Sequence, residues 1–208
     1  MKREREKTMM VPLVNLLSVV SHNCPHLLTG NAEIVNLNFN RLEGTIPSGI
    51  FVNVPELQVF HLGHNGLTGP LPDEFNEAHP LKLLDQFHVQ HNKLTGTLPR
   101  SLGFLTHLMY LEMDHNKFHG NVPAEWSYLT NLEILRIHRN KLDGTLPHQL
   151  GRLTKLEQFQ FEDNLLPRAL PEKMRQKLTK LDLDAFAAEE DRGTYLTAAE
   201  PKEEGEEF

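Results

Sequence analysis

The 208-residue sequence predicts an α/β solenoid in which each repeat adds one short strand to a shared sheet. Three observations carry that reading. Six asparagines, Asn40, Asn65, Asn92, Asn116, Asn140 and Asn164, follow one another at separations of 25, 27, 24, 24 and 24 residues. Seven places after each stands a proline (Pro47, Pro72, Pro99, Pro123, Pro147, Pro171), and four places after the first five stands a glycine (Gly44, Gly69, Gly96, Gly120, Gly144). Apolar residues precede every asparagine at five and three places, from Val35 and Leu37 to Phe159 and Phe161, and at eight places, from Ala32 to Leu156.

Each element follows from its residues. Two apolar positions spaced by two, with polar neighbours, describe a short half-buried strand. One repeat cannot bury its own apolar face, so equivalent positions must stack on the next repeat and build a continuous core. The asparagine side chain offers both a donor and an acceptor, which at a buried turn satisfies backbone groups of its own and adjacent turns. Glycine permits a tight return path, and proline fixes φ and gives up its N–H at a non-helical corner.

This pattern resembles the plant-type leucine-rich repeat, LxxLxLxxNxLxGxIPxxLxxLxxL. The fifth copy, LEILRIHRNKLDGTLPHQLGRLTKL from Leu132, matches it best, and the resemblance covers about residues 32–186. It implies a right-handed superhelix with a concave parallel β-sheet, convex 3-10 turns and short extra strands on the convex side. It further implies kinship with receptor-like protein ectodomains and inhibitor proteins of that repeat family.

Three segments are expected. Residues 1–31 are an N-terminal cap or a weak signal-like stretch, in which Val11, Val14 and Leu16 imitate the strand spacing. The apolar run from Met9 to Val20 is shorter than the ~20 residues of a membrane span. Residues 32–186 are the repeat domain, six repeats plus a closing strand. There Leu178, Leu181 and Leu183 take the eight-, five- and three-before places and Phe186 stands where asparagine would. A short helix is expected over Glu172 to Lys177, and a bulged convex loop around Asn76 to Lys82. Arg168 replaces the sixth glycine. Residues 187–208 carry −6 of the net charge of −7 and are expected to be a disordered acidic tail. Such a charge distribution excludes a nucleic-acid binder. Cys24 is the sole cysteine, so the chain forms no internal disulfide, which favours a cytoplasmic over a secreted or membrane-associated location. A monomer is expected.

Alternation places four rows on the concave face. Four before each asparagine stand Asn36, His61, His88, Glu112, Arg136 and Gln160; two before stand Asn38, Gly63, Gln90, Asp114, His138 and Glu162. Immediately before are Phe39, His64, His91, His115, Arg139 and Asp163, and six before are Ile34, Val59, Gln86, Tyr110, Ile134 and Gln158. The candidate partner-binding set is His61, His64, His88, Gln90, His91, Tyr110, Glu112, Asp114, His115, Arg136, His138, Arg139, Gln160 and Glu162. Half of the 12 histidines lie here, and His64, His91 and His115 should form a column continued by Arg139. A face rich in imidazole is either an ordinary solvated surface copied with the repeat or a recognition surface sensitive to pH near 6.5. Beside it Arg41, Lys93, Lys117 and Lys141 make a basic stripe suited to solvation or to an acidic partner.

No metal or other cofactor is assigned. His88, Glu112 and Asp114 are neighbours at a strand spacing near ~4.8 Å, wide for shared coordination, and His22, Cys24 and His26 lack further ligands. The sequence holds no nucleophile–base pair or phosphate loop, and Ser48, Ser101 and Ser127 fall on the convex turns, so no enzyme is expected. The expected function is non-catalytic recognition of a protein partner through the concave face. Carbohydrate binding through Phe39 and Tyr110, enzyme inhibition, or a place in a longer receptor-like protein are the alternatives.

Overall fold

The computed structural model describes residues 32–75, 81–167, 170–178 and 181, and the backbone of 195–196. Every expected strand of the six repeats forms where alternation places it: β1 Ile34–Asn36, β3 Val59–His61, β5 Gln86–His88, β7 Tyr110–Glu112, β9 Ile134–Arg136 and β11 Gln158–Gln160. Each central residue is buried, and its neighbours are at least partly exposed except Gln160 in β11. The six run parallel and pair in chain order. Register follows the repeat, so Phe60 lies opposite Phe87, His61 opposite His88, and Glu112 opposite Arg136. A spacing in sequence thereby becomes a column in space.

Short strands on the return path make the second surface. β2 Glu43–Thr45, β4 Gly66–Gly69 and β6 Lys93–Leu94 form one small sheet; β8 His119–Gly120 and β10 Lys141–Leu142 form another. After Pro99, Pro123 and Pro147 the chain turns into 3-10 helices, Arg100–Phe104, Ala124–Tyr128 and His148–Arg152. Each proline is extended at φ −64 to −68°, which its ring favours, and each helix stops at Leu105, Leu129 or Leu153. The α-helix Glu172–Arg175 takes the fourth such place, as expected. Two close approaches hold this convex layer together. Trp126 is fully buried and its Nε1 donates to the Pro99 carbonyl at 2.9 Å. A Cβ on Gly103 would lie 2.5 Å from the Glu125 carbonyl oxygen, so only glycine fits there.

Between the layers the apolar rows form one continuous cluster from Ala32 to Leu181. Its N-terminal half is aromatic: Phe51 meets Phe60, Phe75 and Phe87 at ring separations of 4.8–6.2 Å. The asparagine ladder works as its chemistry requires. Asn116 Oδ1 accepts the Leu94 N–H at 3.0 Å, while its Nδ2 donates to the carbonyls of Val89 (2.9 Å), Met113 (3.2 Å) and Asp114 (3.1 Å). Asn65, Asn92, Asn140 and Asn164 each donate to their own turn and the preceding one, and each accepts one N–H from the preceding repeat.

The C-terminal edge departs from expectation. The acidic segment 187–208 is not wholly without structure. Its residues β12 Tyr195–Leu196 pair antiparallel with β11, Leu196 opposite Phe159 and Tyr195 opposite Gln160. A closing strand through Leu181 and Leu183 was expected at this edge. Leu178 and Leu181 are buried as anticipated, Leu181 in a β-bridge, and the rest of that expected strand lies outside the described residues. An open strand edge offers unpaired N–H and C=O groups to any extended segment, and Thr194-Tyr195-Leu196-Thr197 is the β-favouring stretch of the tail. The N-terminal segment 1–31, the loop at 76–80, Arg168, Leu183 and Phe186 lie outside the described residues.

Candidate functional site

The concave strands carry two stacked columns. The residue before each asparagine adopts a left-handed backbone: Phe39, His64, His91, His115, Arg139 and Asp163 all have φ between 50 and 58°. Such a conformation is uncommon outside glycine and is tolerated best by Asn, Asp and His. It keeps the ladder running, since the His64, His91 and His115 N–H groups donate to Gln90, Asp114 and His138 of the next repeat at 2.9–3.1 Å. Because all six residues share it, their side chains project in one direction. Phe39 stacks on His64 at 4.2 Å, His64 on His91 at 4.2 Å, and His91 on His115 at 3.8 Å, with interplanar angles of 14–20°. Arg139 continues the column, Nη1 donating to His115 Nε2 at 2.8 Å and Nε to Asp163 at 3.2 Å. Phe39, 76% exposed, caps its outer end.

The second column starts one pleat away. His61 and His88 stack face to face at 3.9 Å and 2°. His61 Nε2 meets Gln86 Oε1 at 3.1 Å. Beyond them Arg136 Nη1 donates to Glu112 at 2.6 Å and Nη2 to Gln158 at 2.9 Å. Tyr110 stands at the margin with its hydroxyl donating to Glu133 at 3.2 Å. Between the columns runs the row of Gly63, Gln90, Asp114, His138 and Glu162. The Gln90 amide occupies the space above Gly63 that a side chain there would fill.

Three residues of the two outward rows correct the sequence reading. Alternation placed Asp114, His138 and Gln160 outward, and all three are instead buried. Imidazoles of adjacent repeats close over the Asp114 carboxylate, whose Oδ2 lies 2.8 Å from His115 Nδ1, 3.8 Å from His138 Nε2 and 4.0 Å from His91 Nε2. Glu162 Oε1 lies 4.0 Å behind His138 Nδ1. His88 lies opposite Glu112, as the repeat register expects, while the groups within 4.0 Å of the Asp114 carboxylate are the three imidazoles.

Burial sets the electrostatics. Desolvation lowers His61, with the Gln86 contact opposing it. It lowers His88 to about 3, reinforced by the like charges of His61 and Arg136. His91 is lowered by burial and by the adjacent imidazoles His115 and His64, and His138 by burial against the pull of Asp114. Glu112 is raised by burial despite Arg136, and Glu162 is raised to about 7, again chiefly by burial. These imidazoles are therefore neutral at pH 7, and the face is polar without being strongly cationic. Positive charge sits on the flank, where Arg41, Lys93, Lys117 and Lys141 are exposed as the stripe required.

The hydrogen-bonding of this face is incomplete. Among the described residues, eight buried side-chain atoms lack a partner: Asp85 Oδ1, His88 Nε2, Gln90 Oε1, Asp114 Oδ1, Arg136 Nε, His138 Nδ1 and both Glu162 oxygens. All but Asp85 belong to the two outward rows, and Asp85 immediately precedes β5. The convex side contributes none.

Comparison with known proteins agrees with this geometry. The Leucine Rich Repeat family model matches residues 56–78 and 131–153. No curated protein sequence matches the chain. Among solved structures, the PEPR1–AtPEP1 complex is 33% identical with a TM-score of 0.65, over 71% of this chain and 20% of that one. The plant peptide hormone receptor RGFR1 in complex with RGF2 is 31% identical with a TM-score of 0.66, over 71% of this chain and 23% of that one. The BIR3–SERK2 complex from Arabidopsis thaliana is 29% identical with a TM-score of 0.57, over 66% of this chain and 70% of the matched chain. The chain thus spans about a fifth of the first two.

Proposed function

The chain is a plant-type leucine-rich-repeat protein, and on that premise we propose that it is a non-catalytic, receptor-like binding module that takes an extended segment of a partner protein along its concave sheet. The observation that carries this reading is the concentration of unpartnered buried polar atoms on the two outward rows. A native surface leaves few such groups, because each costs about 1–3 kcal/mol. These seven atoms, on six residues, are groups that a ligand's amides and side chains would complete once His88, Gln90 and Glu162 turn outward. The similar structures support the choice of ligand, since one of them is by name a plant peptide hormone receptor in complex with RGF2.

Size supports the same choice. Six strands at ~4.8 Å spacing, each showing ~17 Å, offer on the order of 500 Å², against ~800 Å² per partner for a standard protein interface. An extended peptide crossing the strands needs less. It would step across one repeat about every residue and a half, with the ring columns giving flat, rigid contact at little conformational cost.

The test is affinity capture from extract with the native chain, a His61→Ala/His88→Ala/Arg136→Ala variant, and a convex control, Arg100→Ala/Lys155→Ala. Loss of one partner with the first variant and retention with the control supports the reading. Retention by the concave variant with loss by the control moves recognition to the convex side. A glycan-array signal that survives proteolysis of bound material places the ligand among carbohydrates instead.

A further inference from the structure

We propose that His91, Asp114, His115 and His138 form a binding site for a divalent transition metal of the zinc class, set in the middle of the concave face. This goes beyond partner recognition and stands without it, because metal uptake requires no partner.

The geometry comes first. One ligand atom each from His91, Asp114 and His115 lie within 4.8 Å of one another. Asp114 Oδ2 is the hub, with His115 Nδ1 at 2.8 Å, His138 Nε2 at 3.8 Å and His91 Nε2 at 4.0 Å. A tetrahedral zinc with bonds of about 2.0–2.1 Å separates its ligand atoms by about 3.3–3.4 Å. The His115 contact must open by about half an ångström and the other two close by about as much, which side-chain rotation supplies without moving the strands. Nitrogen ligands with one carboxylate suit zinc, cobalt, nickel or copper and not calcium or magnesium, which take oxygen.

A second, independent observation points to a cation. The Asp114 side chain is 6% exposed and its Oδ1 has no partner among the described residues. Neither nearby guanidinium serves it: Arg136 is engaged by Glu112 and Gln158, and Arg139 by His115 and Asp163. A buried carboxylate faced only by imidazoles within 4.0 Å is an uncompensated anion in the structure described. Behind the cluster, Glu162 Oε1 lies 4.0 Å from His138 Nδ1, without a hydrogen bond between them, close enough for the carboxylate to swing in and orient that imidazole once metal is bound. The rings are also held: His91 lies between His64 and His115 in the stack.

Arg139 gives the site a distinctive property. It donates to His115 Nε2, so His115 carries its proton on Nδ1 and donates it to Asp114. Metal must displace that proton, and Arg139 must release Nε2 and fall back on Asp163. Removing Arg139 should therefore strengthen metal binding, by freeing His115 and by taking away a neighbouring positive charge.

The experiment uses the full chain, stripped with chelator, and two probes: zinc by titration calorimetry and cobalt by visible absorption. Expected are one zinc per chain, a four-coordinate cobalt spectrum without a thiolate charge-transfer band, and loss of affinity by at least about 100-fold in Asp114→Asn and His115→Ala. His119→Ala/His148→Ala should bind as the native chain does, and Arg139→Ala more tightly. Metal-free circular dichroism of each variant separates loss of a ligand from loss of fold; should Asp114→Asn not fold, His115→Ala and Arg139→Ala decide. Zinc uptake unchanged in Asp114→Asn and His115→Ala, absence of one-to-one uptake, or a thiolate band abolished by Cys24→Ser would each overturn the proposal, the last by placing the metal at His22, Cys24 and His26.

Discussion

Asn116 allows the stability of the solenoid to be worked out bond by bond. In Asn116→Ala four hydrogen bonds disappear, but the losses are unequal. The Val89 carbonyl keeps the Asn92 amide at 3.1 Å, the Met113 carbonyl keeps the Asn140 amide at 3.1 Å, and the Asp114 carbonyl keeps the His91 N–H at 3.0 Å. The Leu94 N–H loses its acceptor outright. One orphaned buried donor costs about 1–3 kcal/mol, and three carbonyls reduced to one partner add roughly 0.5 kcal/mol each. The total is about 3 kcal/mol, or roughly 6–12 °C in Tm for a domain of this size. Asn40→Ala should cost about 1 kcal/mol, because Asn40 Nδ2 donates only to Leu37 and Asn38 and its oxygen accepts no bond from the described residues. Asn116→Asp should be worse than Ala, since it replaces the donor by a charge aimed at three carbonyl oxygens. Urea unfolding of the three variants checks the order. Equal losses at Asn40 and Asn116, or a loss below ~1 kcal/mol at Asn116, would refute the ladder as the source of inter-repeat stability.

Three further outcomes are expected. His88, lowered to about 3 by burial, stays neutral in the fold while the unfolded chain protonates below 6.5. Its contribution is therefore complete above pH 6.5 and lost as pH falls toward 3. His88→Gln should gain on the native chain by roughly 1 kcal/mol per pH unit below 6.5, a value reduced from 1.36 for partial exposure, and urea midpoints across pH 4–7.5 would show it. His64→Gly removes a ring from the column but relieves a left-handed backbone at φ 56°; Tm should hold or rise, by up to about 1 kcal/mol in stability, and a clear fall would mean that the stack holds the fold. Gly103→Ala, forced against the Glu125 carbonyl at 2.5 Å, should destabilise more than Gly151→Ala, whose nearest neighbour is the Lys173 carbonyl at 3.2 Å; thermal melts compare them directly.

How much of this was legible in the sequence depends on whether a feature obeys the repeat. Parallel in-register stacking turns a 24-residue spacing into contact, so the core rows, the asparagine ladder and the pairing of His61 with His88 could all be read. The column through His64, His91, His115 and Arg139 could be read for the same reason. Its left-handed backbone was not read, although a position filled by Phe, His, His, His, Arg and Asp carries the His and Asp signal for that conformation. Burial of Asp114 was invisible because it depends on what neighbouring side chains do. Alternation fixes the side of the sheet, and three rings from separate repeats then decide whether water reaches it. β12 has no place in the repeat at all. Among the described residues β11 is the last parallel strand, and a short β-favouring stretch later in the chain pairs with it.

The burial of Asp114, His138 and the Glu162 side chain bears on what the concave face is for. Stability alone would fill this row with residues like Gly63, or with long side chains reaching water. Instead carboxylates and imidazoles crowd into the same dry row, Glu162 held up at about 7 and His138 pushed down. Each such group opposes folding, and among the described residues the convex side shows no buried side-chain atom without a partner. Polar groups that cost stability in the isolated chain return it when a ligand supplies their missing partners, whether a metal ion at Asp114 or the amides of a bound segment at His88, Gln90 and Glu162. A ligand of this face should therefore raise the Tm of the native chain. In a chain carrying Asp114→Leu/His138→Leu, apolar groups in that row should raise the Tm without any ligand and remove the further gain on zinc addition. Loss of stability in that ligand-free double variant would mean that the buried polar row supports the fold, and that its unpartnered atoms carry no functional meaning.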